Sequence, residues 1–503
     1  MERESARTKP GIGKETRKFQ EGFALLIALI ALALVSAIGM YQFMIAASEI
    51  RISDNFESYV LARAAALAGL GHGRALLRGL SFDDLLRGPD GTYDATPAGL
   101  ASARRAAFRT PVPWPAARML DMADPAGVLS GAADDGILNT GRHPGGNGAA
   151  LIPGSGIALS GPDPSGPGMR IISRYFVKAS DNNGEASELA VDPLDNPFLD
   201  GDGQILLRSM GIAQTLGEEL QGKTKRNSVT MFEGKYRRTS TFDLDAPLVL
   251  QGSGIEPAEG EMFVGPLFFV QGGPANAGIA AIDAEPSDGL APVPQITDWI
   301  ARGQEKQIQG AGLEPSVQEI TAAILANPDK RLLLDKSWLQ GFIRESLPQF
   351  SDNFFSGQQI WAGAAPAPLG RIDPAQAPGA PVQDPKVTLV DGDLTVDGSL
   401  EGGGLLVVTG RLAVKGGFVF NGLVLVIGSG EIDIGGWSRI AGGIYVVCLP
   451  ALDPGAAWGT VKLTVQEGGH VLFDRVAIRM ALRLIPPAQV GFREITSIID
   501  PES

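Results

Sequence analysis

The stretch that most limits what this chain can become is EGFALLIALIALALVSAIGMYQF, Glu21 to Phe43. From Gly22 to Ser48 the chain runs 27 residues without a charge. An α-helix rises about 1.5 Å per residue and a bilayer core is about 30 Å thick, so roughly 20 apolar residues cross it. A secretory signal holds an apolar run of only about 7–15 residues before a small-residue cleavage site, and this run is longer. Ahead of it stand Arg3, Arg7, Lys9, Lys14, Arg17 and Lys18 against Glu2, Glu4, Glu15 and Glu21, whereas the whole chain carries a net charge of -14. Basic flanks stay in the cytoplasm. The expectation is a single-pass helix over about residues 23–44, with the N-terminus cytoplasmic and the bulk of the chain across the membrane.

The helix is expected to continue to about residue 79. In SEIRISDNFESYVLARAAALAGLGHGRALLRGL, the side chains of Ile52, Phe56, Val60, Leu67 and Leu70 fall near helical spacing, with charges between them. One rod would then be apolar all round at first and amphipathic later. The later half requires a partner, either the globular part of the same chain or neighbouring subunits.

KFQEGFALLIALIALALVSAIGMYQFMIAASEIRISDNFESYVLARAAALAGL resembles the N-terminal segment of PilX-type minor pilins of type IV pili. It shares a short basic leader, a Gly22–Phe23 junction, an apolar helix, Ser48-Glu49, Asn55 and an alanine-rich RAAALAGL. The resemblance is most specific over residues 18–78. It implies cleavage by prepilin peptidase between Gly22 and Phe23, and later extraction of the mature helix from the inner membrane into a fibre. The implied partners are other minor and major pilins, prepilin peptidase, the inner-membrane assembly platform and the membrane. Major pilins carry a glutamate at the fifth mature position, where this chain has Ile27. PilX proteins and the related K-type pseudopilins of type II secretion also lack it. A carboxylate in lipid is costly unless paired, and in a growing fibre its partner is the amine of the next subunit. A subunit without it suits a position at the tip of a pilus or pseudopilus. The departure from the family is Leu67, where many members have a glutamate.

The rest of the chain is expected to be α+β: the long helix packed on a small β-sheet, then a helical segment, then a Gly-rich all-β domain. The expected division is a leader over 1–22, the helix over 23–79, a loop-rich region and sheet over 80–290, helices over 291–361, a Pro/Ala linker over 362–385 and a β-solenoid-like domain over 386–503. MRIISRYFVKAS, GQILLRSMGIAQ and NSVTMFEGKYR read as the strands of the small sheet. Between the first two lies a dense set of oxygen ligands, with Asp181, Asp192, Asp195, Asp200 and Asp202 as candidate Ca2+ ligands. The spacing is not that of an EF-hand, and a solvated acidic turn is the alternative. In residues 386–447, glycines break short strands every few residues. The pairs Leu394/Val396, Leu412/Val414, Phe418/Phe420 and Ile432/Ile434 point to stacked rungs, with a sandwich as the alternative because the repeat is irregular, and LLVV and LVLVI to strands buried on both faces.

Composition narrows the function. An acidic chain without a basic face is a poor ligand for nucleic acid. The single cysteine, Cys448, excludes an intrachain disulfide and reads as a buried small hydrophobe. His72, His143 and His470 are far apart. The resemblance, carried by the leader, the apolar helix and Ile27, implies a structural, non-enzymatic subunit. Two alternatives are a membrane-tethered carbohydrate-binding or carbohydrate-cleaving protein and a polymerising β-solenoid scaffold. The first would use Asp391, Asp393, Asp397 and Glu401, with Arg411 and Lys415 nearby.

Overall fold

A computed structural model of the protein describes residues 15–82, 157–160, 170–182, 186–191, 193, 200–216, 227–373 and 384–495, apart from 259, 287–288, 290 and 313. The first element is one helix, α1, Glu15–Leu76. From Leu25 to Met44 its large apolar side chains are exposed on every side. The helix is long and apolar enough to cross a membrane.

The second half of α1 lies on an antiparallel sheet of five strands: β1 (Ile157–Ser160), β2 (Arg170–Asp181), β3 (Gln204–Leu216), β4 (Asn227–Arg237) and β23 (Ala488–Ile495), in that spatial order. Of the apolar stripe read from spacing, only Leu70 belongs to the face it presents. Ser58, Ala62, Ala65, Ala66, Gly69 and Leu70 are buried, whereas Ile52, Phe56, Val60 and Leu67 remain exposed. Close approach explains the choice. A Cβ on Gly211 of β3 would meet the Ala62 carbonyl and lie 2.5 Å from the Ala66 amide, and one on Gly69 would lie 2.9 Å from the Tyr175 ring. The helix backbone therefore rests almost directly on the strand backbone, and only small side chains fit between them. Tyr175, Val177, Ile205, Leu207, Phe232 and Tyr236 complete this core.

The remaining strands form two mostly parallel sheets. Their closing half runs through β14 (Asp384–Asp391), β15 (Leu394–Val396), β16 (Leu400–Val408), β17 (Leu412–Val414), β18 (Phe418–Gly428), β19 (Glu431–Ile434), β20 (Arg439–Cys448), β21 (Thr460–Val465) and β22 (His470–Phe473). The chain alternates between the sheets: β14, β16, β18, β20 and β22 in the larger, β15, β17, β19 and β21 in the smaller. Gly404, Gly422 and Gly442 stand in register on adjacent strands, each with positive φ, and a Cβ on any of them would strike the backbone of its neighbour. The four apolar pairs read from sequence all point into the layer between the sheets. The outer face of the larger sheet is also buried, by Leu333, Leu339, Phe342 and Leu347 and by the helix Arg475–Leu482. Two covered faces explain the unbroken apolar runs LLVV and LVLVI.

The boundaries differ from the expected division. Within 80–290, β5 (Leu248–Gly252), β6 (Gly254–Pro257), β7 (Phe269–Gln271) and β8 (Ile279–Asp283) join the parallel sheets instead of the small one: β5 pairs with β20 and β6 with β21. Within 386–503, β23 pairs with β4 and belongs to the small sheet. The parallel sheets are thus an insertion between the last two strands of the small sheet. Spatial neighbours here are far apart in sequence, so local pattern could not assign them. The segment 291–361 is less helical than expected. It holds short helices such as Pro292–Thr297, Thr321–Ala326 and Lys336–Gly341, interspersed with β9 (Ile308–Gln309), β10 (Val317–Glu319), β11 (Asn353–Ser356) and β12 (Gln359–Trp361). In the expected linker, Leu369 and Ile372 are buried beside β13 (Gly370–Arg371), and residues 374–383 lie outside the described residues.

The ends of the paired sheets also differ. At the β6 and β10 end, the helix Pro292–Thr297 closes the layer: Ile296 is fully buried and Gln295 Oε1 accepts from the Ile255 amide at 2.7 Å. At the other end lie β11 and β12, with Phe354 and Ile360 exposed.

The docking face of α1 can be tested directly. Gly211→Leu should destabilise the protein by about 1–3 kcal/mol or more, because the helix must lift from β3. Phe56→Ala, on the exposed face, should change stability by less than about 0.5 kcal/mol. Chemical unfolding of the full chain in detergent checks both, and the reverse ranking would mean that the helix docks by its large apolar stripe.

Candidate functional site

Three places carry the residues singled out from sequence, and a fourth was not anticipated. Gly22, Phe23 and Ile27 all lie within α1. Phe23 and Ile27 are more than half exposed, on the part of the rod that no other part of the described chain covers. The exposed stripe Ile52, Phe56, Val60 and Leu67 continues this apolar surface past Glu49, Arg51 and Glu57.

The acidic turn brings part of the candidate cation set together. Asp181, at the end of β2, is fully buried, and so is Asn182. Asn182 Nδ2 donates to Asp202 Oδ2 at 3.3 Å. Asp200 Oδ1 accepts from the amides of Gly203 (2.7 Å) and Gln204 (3.1 Å), and Asp202 Oδ1 accepts from Gln204 N (3.0 Å). Gln204 Nε2 also donates to Asp202 Oδ2. These carboxylates therefore shape the reversal into β3. Asp192 and Asp195 lie outside the described residues. Among the described residues no three acids, histidines or cysteines are grouped to hold a metal.

The acids of the parallel sheets occupy corners. Thr409 Oγ1 donates to Asp391 Oδ1 (2.9 Å), and the Arg411 amide to Asp393 Oδ1 (2.9 Å), each joining one strand level to the next. Arg411 pairs with Glu431 at 3.1 Å and with Asp433 at 3.7 Å. Asp397 and Glu401 are exposed beyond the far end of β15, with Lys415 one level away. Cys448 is buried, which pushes its thiol up, with Lys462 opposing.

The unanticipated place is the junction, where the chain leaves β4 for the insertion and returns into β23. Ala488 stands opposite Arg237, so both crossings are adjacent. Arg238 ties them to the end of α1. Its Nη2 donates to the carbonyls of Leu77 (3.1 Å) and Leu80, its Nη1 to that of Arg483 (3.3 Å), and its guanidinium lies 4.1 Å from the Phe82 ring centroid. A helix C-terminus leaves carbonyls without intrahelical donors and carries partial negative charge, so a forked cation satisfies both demands. Burial first, then the neighbouring Arg483, lowers the Arg238 guanidinium to about 10, with Asp200 opposing. It stays charged at neutral pH. Arg78 adds an ion pair to Asp352 (2.7 Å) and a bond to the Leu484 carbonyl (3.1 Å), and Arg237 pairs with Asp329 (3.1 Å). Between these arginines and Trp338, Phe342 and Phe350 is a cleft of about 770 Å³. The only local sign of the junction is the Arg237-Arg238 pair that ends β4. What it ties together is set by residues about 160 and 245 positions away.

No protein-family model matches the chain, and no curated protein or solved structure matches it significantly.

Arg238→Ala should cost about 1–3 kcal/mol, because it strands buried carbonyls at the end of α1. Arg238→Lys should recover little of this, since an ammonium cannot reproduce the fork. Thermal and chemical unfolding measure both, and full rescue by lysine would show that charge alone is what matters.

Proposed function

We propose that this chain is a minor-pilin-like structural subunit, processed by prepilin peptidase after Gly22 and assembled at or near the tip of a type IV pilus or related pseudopilus. The observation that carries the reading is the division of labour on α1. Its first half has no cover from the described chain. Its second half docks by small residues and leaves Ile52, Phe56, Val60 and Leu67 outward. A permanent anchor needs apolar surface only within the bilayer. A subunit that packs its helix against copies in a fibre needs it beyond the bilayer too, where Glu49, Arg51 and Glu57 are already wet. The resemblance over residues 18–78 supports the same reading, and Ile27 supports a tip position.

In this proposal the helix starts in the inner membrane with the leader in the cytoplasm, and the remainder is periplasmic and then extracellular. Its partners are other minor and major pilins, prepilin peptidase and the assembly platform. The alternation of strands between the two parallel sheets is taken as the coils of a β-solenoid carried as a large outward-facing insertion. A head-to-tail polymer of such coils would have to displace the helix Pro292–Thr297 from one end, which favours a subunit over a scaffold. Calcium at the acidic turn is part of the proposal only if Asp192 and Asp195 join Asp181, Asp200 and Asp202, since Asp200 and Asp202 already accept amide hydrogen bonds.

N-terminal sequencing of the protein from membranes with an active prepilin peptidase should begin at Phe23; a chain still beginning at Met1 there would overturn the proposal. Phe56→Asp with Leu67→Asp should abolish recovery in sheared fibres while leaving the melting temperature within a few degrees, as expected of exposed positions. Adding EGTA should lower the melting temperature if calcium bridges the acidic turn, and an unchanged melt would remove the ion from the proposal.

A further inference from the structure

At the corner between the smaller sheet and the start of the larger one, each coil turns through three or four residues. They are Asp397-Gly398-Ser399, Lys415-Gly416-Gly417, Gly435-Gly436-Trp437-Ser438 and Gln466-Glu467-Gly468-Gly469, with the register on either side aligning them. Trp437 and Gly468 are equivalent positions on neighbouring coils. Both have left-handed backbones, at φ 61° and 82°. Glycine adopts that conformation freely, whereas a bulky side chain does so at a cost of about 1–2 kcal/mol. Trp437 recovers little by burial, since it is 70% exposed. A Cβ on Gly468 would lie 2.8 Å from Trp437 N and 3.2 Å from ring atom Cδ2, so the missing side chain makes room for the indole. A strained, exposed aromatic seated on a glycine is a feature that stability does not explain.

The surroundings select the ligand. Coils stand about 4.8 Å apart. Lys415 and Glu467 flank Trp437 on the coils before and after it. Glu401, Arg439 and His470 line the adjoining outer row, with Arg439 directly opposite His470. Among the described residues none of these five side chains makes an ion pair or side-chain hydrogen bond, and His470 stands edge-on to the Phe269 ring with centroids 6.3 Å apart. Two cations, Lys415 and Arg439, stand among two carboxylates, Glu401 and Glu467, so the patch offers an anionic bilayer or nucleic acid no net electrostatic attraction. A protein hot spot is sealed by a surrounding ring of neighbouring contacts, and here the ring is charged and wet. Sugar hydroxyls both donate and accept, so they are satisfied by cations and carboxylates alike, and the apolar face of a pyranose covers a flat indole.

We propose that Trp437 and the charged side chains around it form a binding site for a neutral polysaccharide, with the indole stacked on a sugar ring. The proposal is independent of how the N-terminal helix is processed or assembled. It is tested on the purified full chain in detergent, by titration with cellohexaose and chitohexaose and by retention on insoluble cellulose and chitin. Wild type should bind at least one of these. Trp437→Gly should weaken that binding by about thirtyfold, as for loss of a dominant aromatic anchor, without lowering the melting temperature, because glycine relieves the left-handed backbone. Arg439→Ala should weaken binding to a smaller extent. Failure of wild type to bind either saccharide, equal binding by Trp437→Gly, or a clear fall in its melting temperature would each overturn the proposal. So would a Trp437-dependent association with phosphatidylglycerol vesicles, or with a second copy of the chain, in place of saccharide binding.

Discussion

The close approach of α1 to β3 is the constraint on which the rest of the molecule depends. With Gly211 under Ala62 and Ala66, and Gly69 over Tyr175, backbone nearly meets backbone. Dispersion and burial are gained through many short contacts of small groups, and little conformational entropy is lost on docking because alanine and glycine have no rotamers to fix. The larger side chains of the same turns are forced to the opposite side. Ile52, Phe56, Val60 and Leu67 are exposed as a geometric consequence of the fit, and they make the rod apolar well past the length a bilayer needs.

The second consequence concerns how the large insertion is held. Its two connections emerge beside each other from β4 and β23, and Arg238 joins both to the end of α1. β23 is fastened further along. Arg493 pairs with Glu233 at 2.7 Å, Tyr59 donates to Glu494 at 3.1 Å, and Phe492 stacks on Phe232 with centroids 5.1 Å apart. A force applied to the helix therefore meets a sheet whose last strand closes only after the whole insertion has been made. The parallel sheets can be large without loosening the helix because both of their ends are anchored in the same small sheet.

Within the insertion, the apolar layers and the corners have separate tasks. The layer between the sheets and the layer under the helices are continuous, and Gly404, Gly422 and Gly442 let adjacent strands pack where a side chain would collide. Stability resides there. The corner residues contribute little to either layer, so they are free to carry other chemistry, and Trp437 is where a side chain replaces the glycine found at Gly468 on the next strand level.

Sequence alone was sufficient for whatever depends on local pattern. The uncharged run fixed a membrane-length helix, because hydropathy over consecutive residues needs no tertiary information. Alternation and glycine spacing gave the small-sheet strands and the inward pairs Leu394/Val396 and Phe418/Phe420, because side-chain direction in a strand has period two. Asp200 and Asp202 were legible as a turn. The tertiary structure alone decided which face of α1 docks, since spacing weighs large apolar residues most and the fit to Gly211 selects small ones. It alone joined β5 and β6 to β20 and β21, returned β23 to β4, and placed Arg238 under the end of α1. Those pairings link residues far apart in the chain, and no local signal encodes which of many compatible strands becomes the neighbour.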